Sequence, residues 1–469
     1  MKKKFSWITL FCSLLGGILL GVIGTFVVLI CTINRSTSSS NNFAQVQQVY
    51  NTISQSYYKK VSSKKLVNGA IKGMVDSLDD PYSEFMADQE QDSFNSNISG
   101  KISGIGATIE QGTQGIQIVA PTAKSPAAKA GLKPKDLIVK INQRSTKKMT
   151  VDQASSLTRG KAGTKVHLQI RRGNQTFNKV ITRAPIKVAT VMSNLDKNDK
   201  QIGEITITQF SEHTAKELKQ QIQKLKRKGA KKLIIDVRNN PGGVMDQAIA
   251  ASSMFMSNGR KIMTMDSRID GKKSYYANKK YLNDYKFKLP TVVLVDKGTA
   301  SAAEIFAAAL KQSAGVKIIG EKTFGKGVVQ TLSPLSSNSE MKITTAKWLT
   351  PNGSWINHKG LTPSIKVLYP DYLNIKNFTS QKIIKVNEKS SDVKVAQQIL
   401  VALGQTVPVN GTLDEQTVQQ LTTFQSQQQL PTTGQLDLAT RQSLTKVLMD
   451  KAQKDDPMQR QALQSLKEQ

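Results

Sequence analysis

The sequence is poor in the residues that most often carry metal and thiol chemistry. It has two cysteines, Cys12 and Cys31, and both lie in one apolar N-terminal stretch, so nothing downstream can form a disulfide or a thiolate site. Its three histidines, His167, His213 and His358, form no ligand-spaced cluster, so no metal and no Ser-His-Asp triad is expected. No cofactor motif is found either. Acidic residues are scarce, 34 against 66 Lys and Arg, for a net charge of +32. Such an excess attracts polyanions. The bases are dispersed, however, with no zinc-finger spacing, aromatic-glycine RNA motif or long Lys/Arg block, so no nucleic-acid partner is expected.

Charge is also missing from residues 7–33, and three lysines precede them. About 20 apolar residues span a bilayer. A cleaved signal peptide has a shorter apolar core and a small-residue cleavage site. The stretch therefore reads as an uncleaved transmembrane signal anchor. Lys2, Lys3 and Lys4 against Arg35 place residues 1–6 in the cytoplasm. The chain beyond residue 34 is then extracellular, held to the cell membrane by a single pass.

At 469 residues the chain exceeds one core. A Ser/Asn-rich linker, 34–42, leads into helical periodicity over 43–95. That segment closes at Leu78-Asp79-Asp80-Pro81-Tyr82-Ser83, where a proline breaks the helix and the adjacent aspartates read as turn residues. Short strands between glycine turns occupy 96–186. Strands alternating with helices over 187–372 argue for an α/β layer structure. A linker, 373–388, and three short helices over 389–450 follow, then a tail, 451–469, expected to be solvated and frayed.

The most informative stretch is 291–330. A β-branched run reads as a buried strand, Thr299 as a helix cap, 301–312 as a helix and 316–320 as a second strand. Ser301 stands at the helix start, and Lys326 lies between Gly325 and Gly327 in the next loop. A serine hydroxyl becomes a nucleophile only when a base removes its proton, and a neutral lysine can be that base. Lowering a lysine from its ordinary pKa of about 10.4 to near neutrality takes roughly 3 units, by desolvation or nearby positive charge.

These residues resemble the active-site region of the carboxyl-terminal processing peptidases, or tail-specific proteases. Ser301-Ala302-Ala303-Glu304-Ile305 matches their serine motif, although many carry a further serine where Ala303 stands. Thr323-Phe324-Gly325-Lys326-Gly327-Val328-Val329-Gln330 matches their lysine motif. The resemblance implies that Ser301 is the nucleophile, Lys326 the general base and Gln330 the residue orienting it. Arg238-Asn239-Asn240-Pro241-Gly242-Gly243 resembles their oxyanion loop, so the amide of Gly242 or Gly243 would pair with that of Ala302. Gly104-Ile105-Gly106, with 125–132 and 136–142, resembles a PDZ domain, which captures an extended C-terminus by strand addition. Arg159 matches an arginine that gates the active arrangement in some relatives; a solvated turn arginine is the alternative. The last module, with Asn410-Gly411 where Asp-Gly is common, resembles a peptidoglycan-binding domain; a plain three-helix packing module is the alternative.

The fold expected is an α/β protease core with crotonase-like layers, an inserted PDZ β-domain, an N-terminal transmembrane helix and a C-terminal three-helix module. The function expected is a membrane-anchored extracytoplasmic serine endopeptidase. Its partners would be protein or peptide substrates held by their C-termini, cell-wall peptidoglycan and the membrane, with homo-oligomers left open. The rivals are a catalytically inactive wall-anchored PDZ adaptor and an acyl-CoA hydratase-like enzyme. The export signal and the lack of a nucleotide-phosphate motif disfavour the latter.

Overall fold

The computed structural model describes residues 41–112, 115–380 and 382–468, with Trp7, Gly21 and Thr25 before them. The expected anchor, 7–33, lies outside the described residues except for those three, as do 1–6 and most of the 34–42 linker. Among the described residues no helix is long and apolar enough to cross a membrane. The chain divides into two compact units. One runs to Asp88 and includes Gln330–Thr344; the other comprises Gln89–Val329 and Thr345–Gln469.

In the first unit, helices Asn41–Ser56 and Ser63–Asp76 precede a strand, Glu84–Ala87. The paired aspartates build the turn between helix and strand. Asp79 takes a left-handed φ of 50°, and Asp80 accepts hydrogen bonds from the Tyr82 amide (3.1 Å) and the Ser83 hydroxyl (2.6 Å). The strand then pairs antiparallel with Ser339–Lys342.

The second unit opens with an antiparallel β-domain. Strands Lys101–Gly104 and Ala184–Lys187 pair with each other, so the domain's entry and exit lie side by side, as an insertion requires. Between them, strands Ala107–Gly112, Gly115–Pro121, Leu137–Ile141, Lys165–Arg172 and Gln175–Thr182 form the sheet. In Lys165–Arg172 the buried side chains are Val166, Leu168 and Ile170, one face of a period-two strand.

The catalytic layer is a six-stranded sheet in the order Val191–Leu195, Ile202–Ile207, Lys232–Asp236, Thr291–Val295, Lys317–Gly320 and Ile365–Lys366. The first pair is antiparallel and the rest are parallel. All five residues of Thr291–Val295 are buried, and they alternate between two cores. Val293 and Val295 face helices Thr214–Arg227, Met245–Ser253 and Ala302–Ser313. Val292 and Leu294 face the other way, with Ile234 and Ile319.

What covers that second face corrects the sequence reading of the tail. Residues 451–468 are not a frayed end. The third helix of the C-terminal module extends over Leu438–Lys454, and a further helix, Pro457–Lys467, docks on the sheet. Asp456 caps it, accepting from the Gln459 amide, and Pro457 takes the first helical position. Met458, Ala462 and Leu466, spaced four apart, are fully buried against Ile234, Val292, Leu294 and Ile319. Burying the Met458 and Leu466 side chains contributes about 1.5–3 kcal/mol each. Packing, not local propensity, holds this short helix.

The C-terminal module contains an internal repeat that the sequence reading passed over. Helices Ser391–Ala402 and Glu415–Gln427 each carry a fully buried glutamine, Gln397 and Gln425. Each accepts from a glycine amide, Gly411 or Gly434, and donates to a threonine hydroxyl, Thr417 or Thr440. Asp414 and Asp437 cap the helices that follow. The glutamines fix the turns, because the low-dielectric interior penalises any unpaired amide.

Gln459 of the docked helix donates to Glu204 (2.5 Å). Burial, then the neighbouring Asp196, raises the Glu204 carboxyl to about 7. Despite its own burial, Asp196 is held below the usual carboxylate range by the amides of Asp199 and Asn198, so the shared proton sits on Glu204. Between its ordinary value near 4.5 and about 7, the unfolded chain releases this proton while the folded chain keeps it, and stability falls as pH rises. Glu204→Gln should therefore raise the thermal midpoint at pH 8 and leave it nearly unchanged at pH 4. Equal effects at both values, measured by calorimetry, would contradict the assignment.

Candidate active site

The strand Thr291–Val295 delivers the chain to Asp296, whose carboxylate accepts from the Gly298 and Asn239 amides (2.9 and 2.8 Å). Thr299 does not cap the helix. Its hydroxyl accepts from the Asp296 amide and donates to the Val237 carbonyl, tying this turn to the neighbouring strand end. The cap is Ser301, one residue before helix Ala302–Ser313, with φ 53° and ψ −117°. A positive φ is uncommon for a residue with a side chain, and such strain persists where the surroundings over-determine it. Ser301 is half-buried.

Glu304 determines much of that geometry. It is fully buried, and its two oxygens receive four hydrogen bonds. Oε2 accepts from the amides of Ser301 and Lys326, both at 2.9 Å. Oε1 accepts from the Gly325 amide (2.8 Å) and the Thr323 hydroxyl (2.5 Å). Burial pushes the Glu304 carboxyl up, and the four donors act against that. One carboxylate oxygen thus holds the backbones of the candidate nucleophile and the candidate base. Sequence reading gave Glu304 no role. The signal was there, since a serine followed three positions later by glutamate is a capping box.

The lysine loop is fixed from its other side as well. The indoles of Trp348 and Trp355 donate to the carbonyls of Lys326 and Gly327 (2.8 Å each), and Asn357 accepts from the Gly327 amide. Gly325 has φ +88°, and a Cβ there would lie 2.6 Å from the Gly360 amide nitrogen. At Gly327 a Cβ would lie 2.6 Å from that of Asn357. The two glycines permit backbone against backbone, which a side chain would prevent.

Arg238-Asn239-Asn240-Pro241-Gly242-Gly243 runs beneath the serine. Asn240, fully buried, donates to the Ile207 carbonyl, accepts from the Gly242 amide (2.9 Å), and its own carbonyl accepts from Ala300. Gly242 has φ +100°, and a Cβ on it would lie 2.8 Å from Ser301 Cβ and 2.9 Å from the Ala302 nitrogen. The amides of Gly243 and Ala302 have no hydrogen-bond partner among the described residues.

The remaining expected site residues make contacts of their own. Gln330 belongs to the first unit and donates to the Thr344 hydroxyl (3.1 Å). In the β-domain, Ile105 is buried and its carbonyl accepts from Ala127. Gly106, φ +75°, abuts Ser125, whose hydroxyl donates to the Gly106 carbonyl (2.8 Å). Arg159 is exposed and closes the helix Val151–Thr158 beside Gly104; a Cβ there would be 3.5 Å from Arg159 Cα. It also lines a cleft with Lys101, Ser156 and Lys161.

Comparison with known proteins identifies the family. Residues 201–367 match the model of peptidase family S41. The carboxy-terminal processing protease CtpA of Bacillus subtilis is 43% identical over 433 residues, covering 92% of each chain. This chain belongs to peptidase family S41. A probable CtpA-like serine protease of Staphylococcus epidermidis is 36% identical, covering 91% of this chain and 86% of its own. Among solved structures, a photosystem II D1 C-terminal processing protease is 26% identical, with a TM-score of 0.41 over 70% of this chain and 94% of its own. Residues 30–90 match the N-terminal domain of the activating protease CtpB, 117–172 a PDZ domain, and 389–444 a putative peptidoglycan-binding domain. The chain is thus a C-terminal processing serine protease of the S41 fold, with a PDZ domain and a C-terminal helical module.

The crowding at Gly242 generates a test within this S41 site. Gly242→Ala must both hold a left-handed φ and displace Ser301, so peptidase activity should fall at least about 100-fold, roughly 3 kcal/mol of barrier. Activity within threefold of wild type, measured on a peptide substrate, would mean that this loop does not set the position of Ser301 for catalysis.

Proposed function

We propose that this enzyme is a membrane-anchored, extracytoplasmic endopeptidase that uses Ser301 and Lys326 as a dyad. The observation that carries the reading is the Glu304 carboxylate, whose single oxygen Oε2 receives the amides of both residues. Lys326, unprotonated, takes the Ser301 proton as Oγ attacks the peptide carbonyl. The oxyanion receives the amides of Gly243 and Ala302. Gly243 is favoured over Gly242 because the Gly242 amide is occupied by Asn240. The Lys326 ammonium then protonates the departing amine, and the acyl-enzyme is hydrolysed by a water that Lys326 deprotonates in turn. Gln330 orients the lysine.

The PDZ domain captures the substrate C-terminus at Gly104-Ile105-Gly106, and Arg159 beside that loop gates the transition to the active arrangement. The apolar, lysine-flanked segment 7–33 supports the membrane anchor, with the catalytic part outside. The C-terminal module holds the enzyme at peptidoglycan. The inactive wall-anchored PDZ adaptor is disfavoured by a complete set of nucleophile, lysine and unpaired amides.

Ser301→Ala and Lys326→Ala should each bring peptidase activity to background, because nucleophile and base act as a unit. Both should keep the wild-type thermal midpoint. Turnover by either variant, or no labelling of the wild-type serine by a fluorophosphonate, would overturn the dyad. The wild-type rate should rise from mildly acidic to alkaline pH as the base loses its proton; a flat profile would contradict a lysine base.

The soluble chain 41–469 should pellet with purified peptidoglycan at raised salt, where attraction between exposed charges is screened. Loss of pelleting under those conditions would show charge, not recognition, at work.

A further inference from the structure

The tail helix Pro457–Lys467 does more than cover the sheet, because its first turn reaches the oxyanion loop. Arg238, the first residue of that loop, donates through Nε and Nη2 to Asp236, with Nη2 2.7 Å from Oδ2. Its remaining terminal nitrogen, Nη1, lies 2.7 Å from Oδ2 of Asp456, the cap of the tail helix. Both side chains are mostly buried, at 13% and 19% exposure, so water competes weakly for the pair. The Arg238 guanidinium also lies 5.9 Å from the ring centroid of Tyr369, whose hydroxyl donates to Asp296 (3.2 Å). Asp296 in turn accepts the amide of Asn239, the next residue of the loop. The start of the loop is therefore clamped between the sheet and the tail helix. Its far end, Gly242, leaves no room for a Cβ against Ser301.

The helix is anchored independently of this pair. Met458, Ala462 and Leu466 are fully buried, Lys232 Nζ donates to the Leu466 carbonyl, and Met458 packs beside Gly320. Asp456 is thus presented to Arg238 by a docked element. The same element continues directly from the last helix of the wall-binding-like module, separated from it by Asp455 and Asp456 alone.

We propose that Asp456 is a positioning residue for catalysis: the docked tail helix holds Arg238, and through it the 238–243 loop, in the arrangement that presents its amide to the oxyanion. This rests on the dyad and oxyanion-hole reading above. In its absence Arg238 keeps Asp236 and the Tyr369 ring but loses its tie to the tail helix, and preorganisation at the far end is weakened while substrate capture by the PDZ domain is unchanged. The expected consequence is a fall in kcat with KM retained, because the interaction matters only where charge develops on the reacting carbonyl.

The test uses the chain 41–469 with active sites titrated by a fluorophosphonate, so that rates refer to folded, reactive enzyme. Asp456→Asn keeps a good helix cap and removes the charge, separating the ion pair from the cap. It should lower kcat per active site about tenfold, with KM within twofold of wild type. Asp456→Ala, which loses cap and charge together, should lower kcat at least as far. Leu466→Asp, which undocks the helix, should lower it similarly, and the Asp456→Asn/Leu466→Asp double variant should be no slower than the slower single variant. A wild-type kcat per active site in Asp456→Asn overturns the proposal whatever the other variants do. So does a double variant whose loss is the product of the two. If the wild-type enzyme neither labels nor turns over, the dyad reading itself fails, which is a distinct result.

Discussion

Everything at the candidate active site depends on one buried carboxylate accepting four hydrogen bonds. Burying a carboxyl is costly, and it is tolerated because each oxygen has two donors. Those donors come from two separate loops: Ser301 on one side, and Thr323, Gly325 and Lys326 on the other. Losing the carboxylate would leave three buried or half-buried amides without an acceptor, at about 1–3 kcal/mol each. A serine loop with a left-handed residue and a lysine loop with two crowded glycines each have poor local conformational preference. Bound to the same side chain, they hold one another in place.

The rest of the fold presents those loops. A mostly parallel sheet buried on both faces is stiff, and ligands in such sheets bind at the carboxyl ends of the strands. Arg238–Gly243 and Asp296–Ser301 follow the adjacent parallel strands Lys232–Asp236 and Thr291–Val295. Asp296, the Asn240 carbonyl and Thr299 cross-link the two strand ends, so the serine and the loop beneath it are positioned as one piece. The PDZ domain enters and leaves through a single strand pair, and the C-terminal module leads straight into a helix that seals the sheet's second face.

Much of this was legible in the sequence, for physical reasons that also mark where legibility ended. The run Thr291–Val295 announced a strand buried on both faces, but a strand's composition does not say what covers each face. The covering helix carried its own signals, with Asp456 and Pro457 at its start and apolar residues every fourth position. A lysine- and glutamine-rich composition concealed them, since a terminal segment of that kind has no stability apart from tertiary contact. Ser301 and Lys326 were found by motif. Glu304 has a capping-box signal toward Ser301 alone; its donors in Thr323, Gly325 and Lys326 lie about twenty positions away, where no local pattern links them to it. Gly325 and Gly327 mark a loop that a partner can approach closely, but not that the partner is the backbone at Gly360 and Asn357.

The central claim is that Glu304 holds the backbones of Ser301 and Lys326, the proposed nucleophile and base, in register, and it is tested most directly by the rate at which a fluorophosphonate labels Ser301. Glu304→Gln has the same shape but one fewer acceptor oxygen, so it opposes an amide donor to at least one of the two loops. In protein shown by near-ultraviolet circular dichroism to be folded, the labelling rate constant should fall at least about tenfold, 1.4 kcal/mol of barrier. A folded Glu304→Gln enzyme that labels at the wild-type rate would contradict the account.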